Sequence, residues 1–233
     1  MCRVDVVVVG AHPMDAEILG GVLALRASRR RKRSILVHLT DGSGNYPALS
    51  RADSSRQAAR EASAAARKLG AEVCWLGWRP ADIGRSSSVS VLAERLDEWQ
   101  PDVVVTHWRG SWHPRHRAAH RVVLSAVARA RVHSALYFGE NFEDLRGFAP
   151  TYYIDTSRDC VRWWRSLESY DLFGVSGRGV GVDRRGYPYA GYYRSMPSVR
   201  GLEVGAPLAH AFMRRGSRRK SPALAPDLKE IQR

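Results

Sequence analysis

The feature that most constrains the fold is a regular alternation of short apolar runs with longer helical patterns. Runs such as VDVVVVG at 4–10, SILVHLT at 34–40 and PDVVVTH at 101–107 have the length and β-branched content of buried strands. Amphipathic stretches lie between them, and the Ala-rich one at 54–70 ends in a glycine suited to a helix C-cap. This alternation predicts an α/β fold with a Rossmann-like, doubly wound and mostly parallel sheet in a single domain.

The alternation weakens after about residue 172. We therefore predict one α/β domain over residues 1–213 and a basic, mobile tail over residues 214–233. Within the domain, the Gly- and Tyr-rich segment 173–196 has no clear period and is interpreted as a substrate-side loop. Four tyrosines in its stretch 186–195 make that loop a candidate wall of a substrate site.

The chain carries a formal net charge of +14, much of it in the clusters RASRRRKR at 26–33 and RRGSRRK at 214–220. Two interpretations remain open: a solvated basic rim, or attraction to an anionic substrate or polymer. The sequence contains no helix-turn-helix, zinc-finger or RNA-binding signature, so we expect no nucleic-acid partner.

The N-terminal and apolar segments indicate a cytoplasmic protein. No apolar run approaches the roughly 18–20 residues of a membrane span, and the first apolar run has no signal-peptide cleavage site. Three widely spaced cysteines without a C-x-x-C pair are typical of a reduced compartment. We expect no membrane span, and a homo-oligomer remains open.

Histidines and a carboxylate follow the first and fourth predicted strands. His12 and Asp15 lie in GAHPMDAEILGG after the first strand, whereas His107, His113 and His116 lie in THWRGSWHPRHRAAH after the fourth. In open parallel sheets, ligands bind at the carboxyl ends of the strands where the strand order reverses. Two imidazoles and a carboxylate form a common catalytic zinc site, although a lone histidine near a helix start is more often a cap or a surface residue. The two pairs together favour a metal site.

The same two segments resemble the signatures of the LmbE-like/PIG-L family of zinc-dependent N-deacetylases. AHPMDAEILGGVLA is similar to the family motif His-Pro-Asp-Asp-Ala/Glu-Glu, and HPRHRAAHRVV is similar to the second motif, His-Pro-Asp-His-x-Ala. The resemblance extends over roughly residues 4–213 and includes HLTDGSG, the Ala-rich helix and RGLEVGAPLAHAFM, in which His210 replaces the usual Glu.

This resemblance implies a mononuclear site for Zn²⁺ or another divalent metal. The metal ligands that it implies are His12, Asp15 and His116. His113 stands at the position of the family's general acid, which helps the amine to leave. Gly20 and Gly21 match glycines that allow close packing of the first helix.

Met14 stands where the family has its general base, the first Asp of the Asp-Asp pair. A thioether cannot accept a proton from water, and general-base assistance contributes typically about 10²–10⁴-fold. Arg115 replaces the Asp of the second motif, so both departures remove negative charge. Asp41, Glu17 and Glu140 are candidate replacement bases, although Asp41 before a glycine also suits a turn.

Four further residues are candidates for substrate binding. They are Trp112, Arg56, Glu140 and Asn141. Trp112 lies beside the second motif and is able to stack on a sugar ring, although ordinary loop packing is an equal alternative. Arg56 suits an anionic or hydroxyl-rich substrate, and Glu140 and Asn141 follow the fifth predicted strand.

The resemblance implies a metal-dependent amidohydrolase that removes an N-acyl group from an amino sugar or a glycosylated small molecule. A bacterial tailoring step in specialised metabolism fits the Arg- and Ala-rich composition. Because of Met14, two alternatives stay open. In the first alternative, the metal site serves another reaction or a binding role. In the second, the chain is a catalytically silent partner subunit.

Overall fold

Strands and helices alternate along most of the chain, which confirms the α/β prediction. The computed structural model describes residues 3–173, 189–216 and 223–224. The strands are β1 (Val6–Gly10), β2 (Ser34–Thr40), β3 (Glu72–Trp78), β4 (Val103–Thr106), β5 (Ala135–Gly139), β6 (Tyr152–Asp155), β7 (Ala209–Arg214) and β8 (Ala223–Leu224). The helices are α1 (Asp15–Arg29), α2 (Arg51–Leu69), α3 (Ser86–Trp99), α4 (Pro114–Arg129), α5 (Cys160–Leu167) and α6 (Tyr189–Leu202). Short 3-10 turns occur at Pro80–Asp82 and Phe142–Asp144.

The described strands form one sheet in the order β3-β2-β1-β4-β5-β7-β6-β8. β1 pairs in parallel with β2 on one side and with β4 on the other, so the strand order reverses between β1 and β4. β7 runs antiparallel to both β5 and β6, whereas the strands from β1 to β5 are all parallel. This is the predicted doubly wound, mostly parallel sheet, with its crevice at the carboxyl ends of β1 and β4.

Alternate valines of β1 pack on opposite faces of the sheet, as the period of a strand requires. Val6 and Val8 pack with residues of α1 and α2, whereas Val7 and Val9 pack with residues of α3 and α4. All four side chains are fully buried. Each contributes about 1.5–3 kcal/mol relative to an exposed side chain. Because both faces of β1 are covered, this strand is held in place, and it fixes the position of the polar segment that follows it.

Glycines let α1 lie close against the sheet. A Cβ atom at Gly20 would lie 2.7 Å from Cγ2 of Val8, and one at Gly139 would lie 2.2 Å from the carbonyl oxygen of Leu19. A Cβ at Gly21 would approach the ring of Trp163 to 3.1 Å. The close helix packing that the resemblance implies at the two α1 glycines is therefore present.

The predicted substrate-side loop is wrong over its last part, because residues 189–196 belong to α6. Ala190, Tyr193, Pro197 and Gly201 form the buried face of this helix, at a spacing that suits 3.6 residues per turn. Gly191 and Pro197 concealed that period, since both residues are poor in helix interiors. Residues 174–188 of the predicted loop lie outside the described residues.

Three residues of the predicted mobile tail are part of the sheet, and the first of them, Arg214, is the last residue of β7. Ala223 and Leu224 pair in parallel with Tyr152 and Tyr153 of β6. Residues 217–222 and 225–233 lie outside the described part of the chain, so the tail prediction is not tested there. None of the described helices has the length and apolarity that crossing a bilayer requires.

Candidate metal centre and active-site cavity

The turn between β1 and α1 brings His12 and Asp15 to the carboxyl end of the sheet. The His12 N–H donates to Oδ2 of Asp15 at 2.7 Å, and the Asp15 N–H donates to the His12 carbonyl at 3.2 Å. Between them, Met14 has a φ angle of 87°, in the left-handed region that favours glycine. Such a conformation costs on the order of 1 kcal/mol or more and is found most often at functional sites.

The start of α4 supplies two more imidazoles from the other side of the crevice. His113 is the N-cap residue of α4 and accepts the Arg115 N–H at its Nδ1 atom (3.3 Å), and Pro114 occupies the first helical position. His116 lies one turn further along and is buried. The ring centroid of His113 is 4.5 Å from that of His116 and 4.9 Å from that of His12.

Oδ2 of Asp15 lies at ligand-like distances from a ring nitrogen of His12 and from one of His116. Oδ2 of Asp15 lies 3.0 Å from Nδ1 of His12 and 3.5 Å from Nε2 of His116. Ligands bound at about 2.0–2.1 Å in a tetrahedron stand roughly 3.3 Å apart. Nε2 of His12 is buried and makes no hydrogen bond with the described residues. The residues present therefore fit the metal that the resemblance implies.

His113 and His107 belong to the same cluster. Ligand atoms of His12, His113 and His116 lie within 4.8 Å of one another, as do those of Asp15, His107 and His116. Nε2 of His107 already accepts the Ala11 N–H at 3.1 Å, so its lone pair is engaged with the backbone. This bond ties β4 to the loop after β1 and makes His107 a support of the crevice.

Asp144 holds two of the histidines and was not predicted from the sequence. Its Oδ2 atom lies 2.7 Å from Nδ1 of His107, and its Oδ1 atom lies 2.9 Å from Nδ1 of His116. Burial alone would raise the pKa of Asp144, but the two histidines hold it well below its usual range. A carboxylate that accepts from Nδ1 leaves Nε2 of His116 free as a ligand.

Glu143 is a second carboxylate that the sequence reasoning missed. Its Oε2 atom lies 3.4 Å from Nε2 of His116, and its Oε1 atom accepts the Tyr189 hydroxyl at 3.2 Å. Burial and the nearby charges of Asp15 and Asp144 raise the pKa of Glu143 to about 8. The available signal was its place in the short segment after β5, the strand that adjoins β4.

His113 is a neutral ring in this arrangement. Burial, together with the neighbouring His116 and His12, lowers the pKa of His113 to about 3. Because Nδ1 accepts the Arg115 N–H, the neutral ring carries its hydrogen on Nε2. His113 therefore offers the cavity a hydrogen-bond donor.

A cavity of about 240 Å³ opens above these side chains. Its polar floor consists of His12, Asp15, His113, His116 and Glu143. Its wall includes Met14, Tyr46, Tyr170, Leu172, Tyr189 and Tyr193, and Asn45, Arg115 and Asn141 add polar groups. Two tyrosines of the segment predicted as a substrate wall thus line the cavity, although they do so from α6.

Three residues predicted to act on the substrate lie elsewhere. Asp41 accepts the Ser43 N–H in a turn at 3.0 Å and does not line the cavity. Glu17 is fully buried and does not line the cavity. The Tyr170 hydroxyl donates to the Glu17 carboxylate at 2.8 Å. Arg56 is an exposed residue of α2 that pairs with Asp53. Their positions remove all three from the site, because none reaches the cavity.

Of the other three substrate-binding candidates, only Asn141 lines the cavity. Glu140 is held by Arg200 at 2.7 and 2.8 Å and by the Tyr192 hydroxyl, outside the cavity. Trp112 is 57% exposed and does not line the cavity, although its ring centroid is 6.1 Å from that of His113. Asn141 does line the cavity, and its Oδ1 accepts the Glu143 N–H at 3.0 Å.

Comparison with known families gives a match to both histidine motifs. The sequence model of the family described as PIG-L: GlcNAc-PI de-N-acetylase matches residues 7–127, which include both histidine motifs. Comparison with curated proteins gives no match.

Solved structures share the fold over nearly the whole chain. The conserved protein TT1542 from Thermus thermophilus has 23% identity and a TM-score of 0.73, covering 91% of this chain and 95% of its own. GalB, the 4-carboxy-2-hydroxymuconate hydratase from Pseudomonas putida, has 17% identity and a TM-score of 0.77, covering 94% and 98%. The N,N'-diacetylchitobiose deacetylase from Pyrococcus horikoshii has 18% identity and a TM-score of 0.73, covering 90% and 83%.

Proposed function

Because the chain belongs to the PIG-L family, whose description is GlcNAc-PI de-N-acetylase, we propose that it is a metal-dependent N-deacetylase of a sugar-like small molecule. The observation that supports this proposal is a pair of overlapping groups of ligand atoms, His12/His113/His116 and Asp15/His107/His116, which share His116 at one cavity. The deacetylase from Pyrococcus horikoshii shares the fold and supports an N-acetylated sugar as the substrate class.

His12, Asp15 and His116 would hold the ion, and Asp144 would orient His116. Zn²⁺ or another divalent ion would supply a Lewis acid that polarises the amide carbonyl and acidifies water. Tyr46, Tyr189 and Asn45 line the cavity, where the tyrosines would offer aromatic surface to the apolar side of a sugar and Asn45 hydrogen bonds to its hydroxyl groups. The cavity walls would thus position the N-acyl group over the polar floor.

His113 is the proposed general acid. In the free protein, its Nε2–H is a hydrogen-bond donor available to the cavity that the residue lines. Negative charge that develops on the reacting amide would raise the pKa of this imidazole, so that the ring takes up a proton from solvent and passes its Nε2 proton to the leaving nitrogen. The C–N bond then breaks, and the products are the carboxylic acid and the amine.

A second candidate function follows from Met14. The thioether lines the cavity where a proton acceptor would be expected, and the hydratase from Pseudomonas putida shares the fold. Addition of water to an unsaturated carboxylic acid would use the same ion-binding residues, with Arg115 at the cavity as the partner of a carboxylate. An anionic substrate would suit this reaction best.

Metal content and amine release test the two candidates. We expect the protein to bind one equivalent of Zn²⁺ and to release amine from a panel of N-acetyl amino sugars, including N,N'-diacetylchitobiose. His116→Ala should lose the ion and the activity, whereas the control His133→Ala changes an exposed histidine and should keep both. Absence of zinc binding at saturating zinc, or amine release that survives a chelator, would overturn the deacetylase proposal. Hydration of an unsaturated acid without amine release would favour the second candidate.

A further inference from the structure

Carboxylates line the cavity even though Met14 stands at the position of the family's general base. Among the described residues that line it, the acidic ones are Asp15, Glu143 and Asp171. Asp15 lies inside the histidine cluster as a proposed ligand. Asp171 belongs to the wall, next to Tyr170, and its backbone N–H donates to Glu61. Glu143 is therefore the carboxylate that stands beside the cluster.

Glu143 contacts the histidine cluster on one side only. Its Oε2 atom is 3.4 Å from Nε2 of His116. Asp15 Oδ2 lies within 3.5 Å of His12, His107 and His116, whereas the Glu143 carboxylate lies within 4.0 Å of His116 alone among the described histidines. The carboxylate thus adjoins one proposed ligand, lines the cavity and is not shared among several imidazoles as Asp15 is, which leaves it available as a proton acceptor.

The surrounding structure fixes this carboxylate. The Glu143 N–H donates to Oδ1 of Asn141, and the Glu143 carbonyl accepts the Trp112 N–H, both at 3.0 Å. The Tyr189 hydroxyl holds Oε1 at 3.2 Å and leaves Oε2 directed to the cluster. Only 9% of the side chain is exposed. A group held on both its backbone and its side chain needs little reorganisation during a reaction.

We propose that Glu143 is the catalytic carboxylate that takes the place of the base missing at Met14. This inference rests on the proposed hydrolytic function. As the oxygen of water forms its bond to the substrate carbonyl carbon, the proton of that water passes to Oε2 of Glu143. His113, after taking up a proton from solvent, protonates the leaving nitrogen when the C–N bond breaks, and Glu143 then returns its proton to solvent. The net reaction consumes one water and produces a carboxylic acid and an amine.

The test compares Glu143→Gln with the parent protein, both as full chains loaded with zinc. Gln has the same shape and keeps an acceptor for the Tyr189 hydroxyl, so the fold should be retained. The control is Asp41→Asn, which changes an acidic residue that lies outside the cavity and accepts a turn N–H. Two substrates are used: the N-acetyl amino sugar panel, and p-nitrophenyl acetate, whose leaving group needs no proton.

We expect Glu143→Gln to lower kcat on both substrates by about 10²–10⁴-fold with KM nearly unchanged, and Asp41→Asn to have no effect. Zinc affinity, measured by competition with a chelator, should stay within about threefold of the parent, since a base does not bind the ion. Met14→Asp added to Glu143→Gln should restore kcat in part. A kcat within threefold of the parent, or a tenfold loss of zinc affinity, would overturn the inference.

The ester separates this inference from the proposed function. Ester hydrolysis that depends on Glu143 without any amine release would reject the deacetylase and keep Glu143 as the base. Amine release that is indifferent to Glu143→Gln would keep the deacetylase and reject the base. If the parent hydrolyses neither substrate, no carboxylate activates water in this cavity, and the inference is wrong.

Discussion

Nδ1 of His116 lies 2.9 Å from Oδ1 of Asp144, and this contact leaves Nε2 of the ring free to face the cavity. The ring position of a proposed ligand is therefore set by a residue from a different part of the chain. Asp144 also reaches His107, which in turn accepts the Ala11 N–H behind His12. One buried carboxylate thus connects both sides of the crevice.

We predict that Asp144→Asn weakens zinc binding by about 10–100-fold, as is typical when the partner of a metal-bound histidine is lost. An amide cannot accept from both imidazoles as an ionised carboxylate does. Competition with a chelator measures the affinity, and circular dichroism checks the fold. Asp155→Asn, at the exposed end of β6, is the control. An unchanged zinc affinity in folded Asp144→Asn would contradict the role of Asp144.

A second prediction separates two roles for His113, because its ring is close enough to His12 and His116 to be a ligand itself. As the proposed acid, His113 should be dispensable for the ion. His113→Asn keeps a side chain that can cap α4. It should lower kcat on N-acetyl amino sugars by about 10²–10⁴-fold and retain one equivalent of zinc. Loss of the ion in a folded variant would identify His113 as a ligand.

The fold and half of the site were predictable because their signals are local. Valine runs indicated β1 and β4, and the motifs after these strands indicated His12, Asp15, His113 and His116. Strand order then decides which loops meet, and the common order of doubly wound sheets places these two together. The structure has this order, with β1 between β2 and β4.

The remaining residues of the site could not be predicted, because their positions depend on contacts between residues that are distant in sequence. Glu143 and Asp144 follow β5, and nothing in the stretch GENFEDL tells which of its acids faces the cavity. Glu140, one residue after the strand, binds Arg200 of α6 instead. Arg200 and Tyr189 come from a helix that the sequence pattern did not reveal, so the partners of these carboxylates were not predictable either.

The close contact between α1 and β5 leads to a third prediction. A Cβ at Gly139 would lie 2.2 Å from the carbonyl oxygen of Leu19, so Gly139→Ala would push the backbone of β5 away from that of α1. We expect a loss of about 1–3 kcal/mol or more in the free energy of unfolding, measured by urea denaturation. Gly44→Ala is the control, since a Cβ at Gly44 meets nothing within 4 Å. Equal stability of both variants would show that β5 and α1 adjust at little cost.

The last prediction concerns His210, which is buried in β7 away from the cavity. Its Nδ1 atom lies 3.0 Å from Oγ1 of Thr156, and its ring stands edge-on to Trp163 at 4.4 Å between centroids. Burial lowers the pKa of His210 from its ordinary value of 6.5 to about 3, so the folded protein keeps this ring neutral in mild acid.

Below pH 6.5, the unfolded chain therefore binds a proton at His210 that the folded chain does not bind, and the free energy of unfolding falls by about 1.4 kcal/mol per pH unit from this residue. The loss continues until the pH approaches 3, where the folded state is protonated as well. His210→Gln removes this contribution. For each protein, the fall in the free energy of unfolding between pH 7 and pH 4.5 is measured. This fall should be about 2–3 kcal/mol smaller in the variant than in the parent. Urea unfolding at half-unit pH steps measures the difference, with His133→Gln at an exposed position as the control. Parallel curves for the parent and His210→Gln would mean that the buried ring takes up its proton in the folded state.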